Sequence, residues 1–406
     1  MPNTDVAELT DLDPHFVRDP YPAYAALRAR GPVHLVRTPE GDELYLVVGY
    51  EAARAAYTDP RLSRDWRRYQ HLLEGELPIF AATPGHEHML QRDPPDHNRL
   101  RRLVAREFTP RRIAALAPYV REVTDGLLDA MADGAVGGER GADLIDALAF
   151  PLPMTVICEL LGVPDLDRRL FRGWSNEVVA PTSQVKELAA YEAMIPYLVS
   201  LVQDKHKVPG PDLLSALITT VDENGDRLDE DELLSMAFLL LVAGHETTVN
   251  LIGNGMRALF AHPEQLAALR ADLDGLLDGA VEEMLRYDGP VEGSTPRLAI
   301  EPLDLGGGTV IPAGSEVVIV MADADRDPAR FPEPDRFDIR RDARGHIAFG
   351  HGIHYCLGAP LARLEGRTAV RRLLERFPRL EQEPDETPGW LPGLLMRGTR
   401  RLPVRW

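Results

Sequence analysis

Residues 349–360 read FGHGIHYCLGAP, and this stretch gives the strongest indication of the fold. Three glycines around Cys356 favour a tight loop that presses its backbone against a flat ligand and aims amide N–H groups at the sulfur. An apolar stripe with helical spacing follows, formed by Leu361, Leu364, Val370, Leu373, Leu374 and Phe377. Cys356 therefore precedes a helix N-terminus, where the helix dipole favours an anion, and we expect a stabilised thiolate.

Other roles for this loop are less well supported. It contains neither GxxxxGK[ST] nor a complete GxGxxG, so it is not a phosphate-binding loop. A nucleophilic cysteine would have His351 and His354 nearby, but the sequence identifies no Asn or Asp partner for them. A structural buried cysteine would not need this concentration of Gly, His and Phe. The loop is best interpreted as a ligand-binding one.

Composition restricts the possible partners and the compartment. The net charge of −19 argues against nucleic acid and anionic membranes as partners. The N-terminus lacks the features of a signal peptide, and the longest apolar helical run, Leu233–Ala243, falls short of the roughly 18–20 residues that span a bilayer. Cys158 and Cys356 match no C-x-x-C pattern. We expect a cytoplasmic protein without disulfides or a zinc knuckle.

Positive charge is nevertheless concentrated in two segments. Residues 91–120 carry seven arginines, and residues 361–380 are also net basic. One electropositive face, suited to an acidic partner protein or to the carboxylates of a cofactor, would explain both. Solvated helix faces are the alternative explanation.

Hydrophobic periodicity predicts a mainly α class with small sheets. A β-hairpin over 33–38 and 43–48 opens the chain, and a second β-rich patch includes Val310, Ile311 and 317–320. Helical spacing occurs near 99–107, 113–131, 144–161, 185–206 and 230–261. No repeat or low-complexity linker interrupts the chain, so we expect a single domain over 1–406.

A second motif, AGHETT at 243–248, lies inside a helix expected from about Asp229 to His262. A zinc-binding H-E-x-x-H is excluded because position 249 is Val249. The small Ala243 and Gly244 leave room for a ligand, and an acid followed by an alcohol can relay protons. A hydrogen bond from the Thr247 hydroxyl to the Ala243 carbonyl would loosen the helix locally and open a groove. Taken alone, the motif could also be a polar patch on a core helix.

The two motifs together resemble the cytochrome P450 family, whose haem-binding loop reads FxxGxxxCxG and whose central helix carries [AG]Gx[DE]TT. The resemblance implies a single P450 fold, with a long central helix over haem b and small β-sheets, and Cys356 as axial ligand of the iron. Thiolate ligation favours O–O cleavage. By the same resemblance, Thr247 would steady dioxygen, Glu246 would help to deliver protons, and Phe349 and Gly350 would contact the haem.

Further family features can be assigned residue by residue. Glu283 and Arg286 form an E-x-x-R pair, and Arg336 in the meander PEPDRF (332–337) would join them in a buried structural triad behind the haem. Because His97 and Arg101 are four residues apart, they share one helix face. The residues that resemble the family's partners of the haem propionates are His97, Arg101, Arg297 and His354.

The resemblance is strongest to actinomycete macrolide hydroxylases of the pikromycin type, as in TPEGDE (38–43), LLVAGHETTVN (240–250) and IRRD (339–342). It implies an enzyme that uses O2 to hydroxylate or epoxidise a macrolide or polyketide. Some relatives bind an amino sugar with a carboxylate where this chain has Gln91, so only Glu74, Glu76 and Glu87 could substitute here. The expected substrate-lining residues are Met89, Leu90, Gln91, Val242, Ala243, Val291, Leu395 and Met396.

Electrons from NAD(P)H are expected to arrive through an external ferredoxin reductase and ferredoxin, with the ferredoxin docking on the basic segment Arg99–Arg112. Two other outcomes stay open at this level. One is a P450-scaffold enzyme with a different reaction, such as a peroxygenase, a dehydratase or a coupling catalyst. The other is a haem protein that only binds or senses small molecules.

Overall fold

A computed structural model describes residues 6–12, 15–39, 41–73, 75, 77–134, 141–164, 168–221, 225–384 and 389–406. In chain order the α-helices are α1 (Leu9–Leu12), α2 (Tyr21–Arg30), α3 (Tyr50–Thr58), α4 (Ile79–Ala82), α5 (Asp96–Ala105), α6 (Pro110–Ala115), α7 (Ala117–Asp133), α8 (Pro151–Leu161), α9 (Arg168–Val179), α10 (Gln184–Lys207), α11 (Leu213–Thr219), α12 (Glu230–Ala243), α13 (Glu246–Ala261), α14 (Pro263–Ala271), α15 (Leu273–Asp288), α16 (Met321–Ala324) and α17 (Ala359–Arg376). The predicted mainly α class is confirmed.

The strands are short and form small sheets. They are β1 (Ala7–Glu8), β2 (Val33–Arg37), β3 (Glu43–Val47), β4 (Leu62–Ser63), β5 (Gly141–Asp143), β6 (Arg297–Ala299), β7 (Leu303–Asp304), β8 (Val310–Ile311), β9 (Glu316–Ile319), β10 (Glu381–Gln382) and β11 (Pro403–Arg405). The largest sheet has the order β1-β2-β3-β9-β6-β4, and the others are β10-β11-β5 and β7-β8. The predicted hairpin is confirmed, with Val33 opposite Val47 and Arg37 opposite Glu43.

The main hydrophobic core lies between helices. Buried side chains of α7, α8, α12, α13, α15 and α17 form one continuous cluster, and the largest sheet packs in separate clusters beside it. Local signals explain several helix ends. Asp229 and Glu232 form a capping box at the start of α12, and Gly162 ends α8 in the left-handed conformation.

The long central helix predicted from about Asp229 to His262 is present, with a break where the sequence predicts local loosening. It consists of α12 and α13, separated by Gly244 and His245. The extent of the helix and the loosening within it are both confirmed.

The apolar stretch of the central helix is also longer than the sequence indicated. By length and composition alone, Glu230–Ala261 could cross a membrane, whereas the predicted run ended at Ala243. In the fold, 78% of the most apolar 18-residue segment of this helix is buried inside the protein. This burial is typical of a core helix. Neither Cys158 nor Cys356 forms a disulfide bond.

Candidate functional site

The cysteine loop folds back on itself just before α17. The backbone N–H of Cys356 donates to the carbonyl of Phe349 at 2.9 Å, and that of Gly350 donates to Ile347 at 2.8 Å. Gly350 and Gly352 both have φ of 74°, a conformation that glycine adopts without strain. The tight loop predicted from the glycine spacing is thereby confirmed.

The Cys356 sulfur lies among groups that favour its anion. Burial raises the pKa of the thiol, and four groups oppose this effect: the backbone N–H groups of Gly358 and Ala359, and the guanidiniums of Arg101 and Arg363. Cys356 still has accessible surface. A cysteine that is both reachable and surrounded by donors and cations is suited to bind a metal as thiolate.

An ion-pair network holds the loop from behind. Arg363 of α17 donates to both carboxylate oxygens of Glu282 on α15, at 2.6 and 2.8 Å, and His346 lies 3.0 Å from the same carboxylate. The guanidinium of Arg363 also stacks 4.5 Å from the Phe349 ring centre. Although burial raises the pKa of Glu282, the hydrogen bonds from Arg363 and His346 lower it to about 2. The loop is therefore fixed to two core helices.

The break between α12 and α13 presents the second motif. The Thr247 hydroxyl donates to the Ala243 carbonyl at 3.0 Å, as predicted. Ala243 is exposed although Leu241 and Val242 beside it are buried, so this turn of the helix borders an open space. This open space lies where the small residues of the motif predict a groove.

Sequence reasoning missed the partners of Glu246 in this break. The Glu246 carboxyl is buried, and its Oε1 lies 3.3 Å from Nε2 of the fully buried His245. The same Nε2 lies 2.9 Å from the hydroxyl of Ser175 on α9. Seventy residues separate Ser175 from His245, and no local pattern marks this contact.

The four residues assigned to the haem propionates are brought close to the cysteine loop. The rings of His97 and His354 meet edge to face, with centres 4.4 Å apart. Arg101 donates to the carbonyl of Tyr355 at 2.7 Å, and Arg297 donates to the carbonyl of Leu62 at 3.3 Å. The structure therefore places α5, β6 and the cysteine loop around one region.

Arg64 is a further member of this group that no motif indicated. It is 2% exposed and donates to the carbonyls of Leu90 and Thr295 at 3.0 and 2.7 Å. Burial, followed by the charge of Arg297, lowers the pKa of Arg64 to about 9. Burial and the charges of Arg64 and Arg297 also hold the pKa of His354 well below its ordinary value.

These observations test whether haem fits the site. Within this group, three buried nitrogens have no hydrogen-bonding partner among the described residues: one terminal nitrogen of Arg64, Nε2 of His97 and Nε of Arg297. A buried cluster of cations is costly unless anions compensate it. The two carboxylates of haem would supply that charge, and Cys356 would supply the ligand of the iron. The residues therefore fit the cofactor.

One member of the structural triad differs from the prediction. Arg286 donates to both oxygens of Glu283 at 2.7 and 2.8 Å, and both side chains are fully buried. The side chain of Arg336 is 58% exposed and reaches only Glu333 and Asp338, so its assignment to the triad is wrong. The third member is Arg341, whose Nε lies 3.3 Å from Glu283.

Only the backbone of Arg336 contributes to this network. Its carbonyl accepts hydrogen bonds from Arg286 at 3.3 Å and from Arg341 at 3.1 Å. The meander therefore folds so that the Arg336 side chain points to solvent, while its main chain takes part in the buried network.

The expected substrate-lining residues fall into groups. Val291 pairs with Met396 in an antiparallel bridge, and the N–H of the next residue, Glu292, donates to the carbonyl of Leu395 at 2.9 Å. Met89 and Val242 belong to the main core cluster. Leu90 and Gln91 are half-buried on the short helical turn that contains Met89.

Glu87, the one acidic side chain considered for amino-sugar binding that lies among the described residues, is not available as a free anion. Glu87 forms ion pairs with Arg67, at 2.8 Å, and with Arg92. Glu74 and Glu76 lie outside the described residues. Oε1 of Gln91 is buried and has no hydrogen-bonding partner among the described residues. The charge of Glu87 is therefore already compensated, and the side chain of Gln91 carries no charge.

The predicted basic face is narrower than the seven arginines suggest. Arg92, Arg99 and Arg112 form ion pairs with Asp65, Glu232 and Glu107, respectively. The exposed arginines of the segment are Arg102, Arg106, Arg111 and Arg112. Their positions at the end of α5 and on α6 define the remaining basic surface.

Comparisons with known proteins agree with the site. A family model described as cytochrome P450 matches residues 178–401. The chain is 58% identical over 405 residues to cytochrome P450 monooxygenase PikC of Streptomyces venezuelae, covering 99% of this chain and 94% of PikC. It is 44% identical over 396 residues to 6-deoxyerythronolide B hydroxylase of Saccharopolyspora erythraea, covering 95% and 96%.

A solved structure is similar over the same extent. The P450 monooxygenase TamI bound to tirandamycin C matches with a TM-score of 0.89 and 45% identity, covering 98% of this chain and 99% of TamI. Similarity of this degree over nearly the whole length shows that the chain belongs to the cytochrome P450 family and is a haem-thiolate monooxygenase.

Proposed function

We propose that the protein uses dioxygen to hydroxylate or epoxidise a large, mostly apolar polyketide or macrolide. The main support for this proposal is the break between α12 and α13, which places the acid Glu246 and the alcohol Thr247 beside the exposed Ala243. The names of 6-deoxyerythronolide B hydroxylase and of TamI bound to tirandamycin C support the substrate class.

The cofactor would be held by residues already described. Cys356 would ligate the haem iron, with Phe349 and Gly350 supporting the loop. His97, Arg101, Arg297 and His354 would bind the propionates, with Arg64 adding a third guanidinium. When bound, haem supplies the redox chemistry that cleaves dioxygen, and thiolate ligation favours this cleavage.

The protein's own groups would manage protons and orientation. Because the Thr247 hydroxyl donates its hydrogen to Ala243, its oxygen remains as an acceptor beside the groove. Glu246, which is buried and directly precedes Thr247 in the chain, would hold and release a proton. Apolar contacts from Val291, Leu395 and Met396 would orient the substrate.

We further propose that the preferred substrate does not carry a cationic amino sugar. Glu87 is already paired with two arginines, and Gln91 replaces the carboxylate of relatives. Burial lowers the pKa of His86 to about 4 and that of His88 to about 3, so both imidazoles are neutral near pH 7. The loop would therefore bind neutral, hydroxylated groups.

A spin-shift titration of the ferric protein tests the substrate class. We expect neutral macrolide or polyketide aglycones to produce a low-spin to high-spin shift at lower concentration than their amino-glycosylated counterparts. Gln91→Glu should narrow this difference. Tighter binding of the amino sugar by the unmodified protein would contradict the proposal, and product analysis would separate monooxygenation from coupling or dehydration.

We propose that electrons from NAD(P)H arrive in the cytoplasm through a ferredoxin reductase and a ferredoxin. The ferredoxin would dock on the exposed arginines of α5 and α6 and on the exposed loop residues Ile353 and Tyr355, since Arg101 of α5 donates to the carbonyl of Tyr355. Association should slow as ionic strength rises, and Arg111→Gln should slow it at low salt. An association rate that does not depend on salt would contradict this docking site.

A further inference from the structure

The imidazole of His245 occupies the break in the central helix and has a fixed orientation. Its Nδ1 lies 2.8 Å from the carbonyl of Leu241. A carbonyl oxygen only accepts hydrogen bonds, so Nδ1 carries a proton and donates it. In neutral His245 the other nitrogen, Nε2, is therefore unprotonated and acts as an acceptor.

Two oxygens face this Nε2. The Ser175 hydroxyl lies at 2.9 Å and Oε1 of Glu246 lies at 3.3 Å. Apart from this approach, Oε1 of Glu246 has no hydrogen-bonding partner among the described residues. The hydroxyl of Ser175 can rotate, so it can donate to Nε2 or accept from it.

The surroundings exclude water from the pair. His245 is 0% exposed and meets the ring of Phe150 edge to face at 6.0 Å. The guanidinium of Arg172, which is paired with Asp146, stacks on the ring of Phe150 at 4.1 Å from the ring centre. An unprotonated Nε2 and a carboxylate oxygen repel each other at short distance in such an environment. A proton between them turns this repulsion into a hydrogen bond.

We propose that His245 and Glu246 share one proton, and that His245 is the positioning residue that holds the Glu246 carboxyl at the helix break. In one form Glu246 carries the proton and donates it to Nε2. In the other form Nε2 carries the proton and donates it to Oε1, so only the N–H and O–H bonds exchange. Ser175 adapts its hydroxyl to both forms.

This inference rests on the proposed role of Glu246 in proton delivery and adds the group that keeps its carboxyl loaded and oriented. Loss of the imidazole should disturb proton delivery more than substrate binding. His245→Phe retains an aromatic ring of similar breadth and removes both nitrogens. His245→Gln retains a donor and an acceptor and serves as the conservative variant.

The first test measures turnover of the haem-loaded enzyme with its redox partners. For His245→Phe we expect about tenfold less product per NAD(P)H, more hydrogen peroxide and a larger solvent isotope effect, with substrate affinity within about twofold of the parent. His245→Gln should recover a substantial part of the coupling. Parental coupling and an unchanged isotope effect in His245→Phe would overturn the proposal.

The second test does not depend on turnover. In the diamagnetic ferrous, carbon monoxide-bound protein labelled with ¹⁵N-histidine, the His245 Nε2 resonance should shift when Glu246 is replaced by Gln. Ser175→Ala should shift the same resonance, whereas Glu187→Gln on α10, which among the described residues forms no hydrogen bond or ion pair with His245, Glu246 or Ser175, should not. An Nε2 resonance that does not respond to Glu246→Gln would overturn the shared proton.

The two tests separate the inference from the role of Glu246 itself. If Glu246→Gln shifts the His245 resonance but leaves product coupling unchanged, the shared proton stands and the proposed delivery role of Glu246 fails. The resonance test also applies if His245→Phe does not fold, because it uses the unaltered histidine.

Discussion

At the scale of single residues, the Thr247 hydroxyl has a structural and a chemical task. Its hydrogen bond to Ala243 replaces part of the helical hydrogen bonding lost at the break, and its oxygen faces the groove beside Ala243. Glu246 precedes Thr247, and its carboxyl points toward His245. The two side chains of the motif therefore point in different directions. Substitution at either position should therefore give distinguishable effects.

Replacing Thr247 with Ala should uncouple the reaction. The variant should still consume reducing equivalents, because the cysteine loop and the propionate cations are unchanged. Without the hydroxyl, more of the reduced oxygen should leave as hydrogen peroxide. The measurement is peroxide and product formed per NAD(P)H, with Thr220→Ala at the end of α11 as a control, and tightly coupled product formation in Thr247→Ala would contradict it.

The corrected triad makes a stability prediction at the same scale. Arg341→Ala removes a partner of the buried Glu283 and donors to several main-chain carbonyls, so the free energy of unfolding should fall by about 2 kcal/mol. Arg336→Ala removes exposed ion pairs and should cost less than about 1 kcal/mol. Chemical denaturation of both variants measures this, and equal losses would show that Arg336 belongs to the buried network.

At the scale of secondary-structure elements, the close approach of α8 to the central helix limits which residues can form the break. A Cβ at Gly244 would lie 2.4 Å from the carbonyl oxygen of Leu240 and 2.8 Å from Cδ1 of Ile157. Both distances are shorter than real Cβ contacts. Gly244 is therefore required by packing, independently of any ligand.

Gly244→Ala should therefore lower the free energy of unfolding by about 1–3 kcal/mol, because α8 or the break must move. Gly173→Ala is the matched control, since a Cβ at this exposed position of α9 meets nothing within 4 Å. The control should raise stability by up to about 1 kcal/mol, because alanine favours a helix over glycine. Thermal unfolding of both variants gives the comparison, and a neutral Gly244→Ala would show that the break adapts easily.

Predictability also differs between elements and contacts. The sequence predicted the hairpin, several of the helices and the cysteine loop because their signals are periodic or local. It did not predict Arg64, whose guanidinium reaches Thr295 across 231 residues, or Ser175, which meets His245 only because α9 packs on the break. Arg336 was assigned wrongly because the motif shows that an arginine is near, but not which way the meander turns its side chain.

At the scale of the whole molecule, acid sensitivity should depend on the ion pairs that join α15, α17 and the cysteine loop. Folding lowers the pKa of Glu282 from its ordinary 4.5 to about 2. The folded protein thus binds fewer protons than the unfolded chain in this range. The carboxylate stabilises the fold above about pH 4.5, and this contribution is lost as the pH falls toward 2.

Glu282→Gln should therefore be less stable than the parent at pH 7 by about 1–3 kcal/mol, and the difference should shrink between pH 4.5 and 2. The measurement is the unfolding midpoint against pH for both proteins. Glu381→Gln, which removes an exposed pair with Arg405, is the control and should change little. A constant difference at all pH values would mean that the Glu282 carboxylate is not the group responsible.

The largest sheet has a consequence for how the protein is made. Strand β3 lies between β2 and β9, and Gly49 just after β3 donates to the carboxylate of Asp323, 274 residues further along the chain. At a ribosomal rate of about 5–20 residues per second, Asp323 is synthesised roughly 15–55 s after Gly49. During synthesis the hairpin therefore has an open edge, and cellular chaperones have a defined interval in which to shield it.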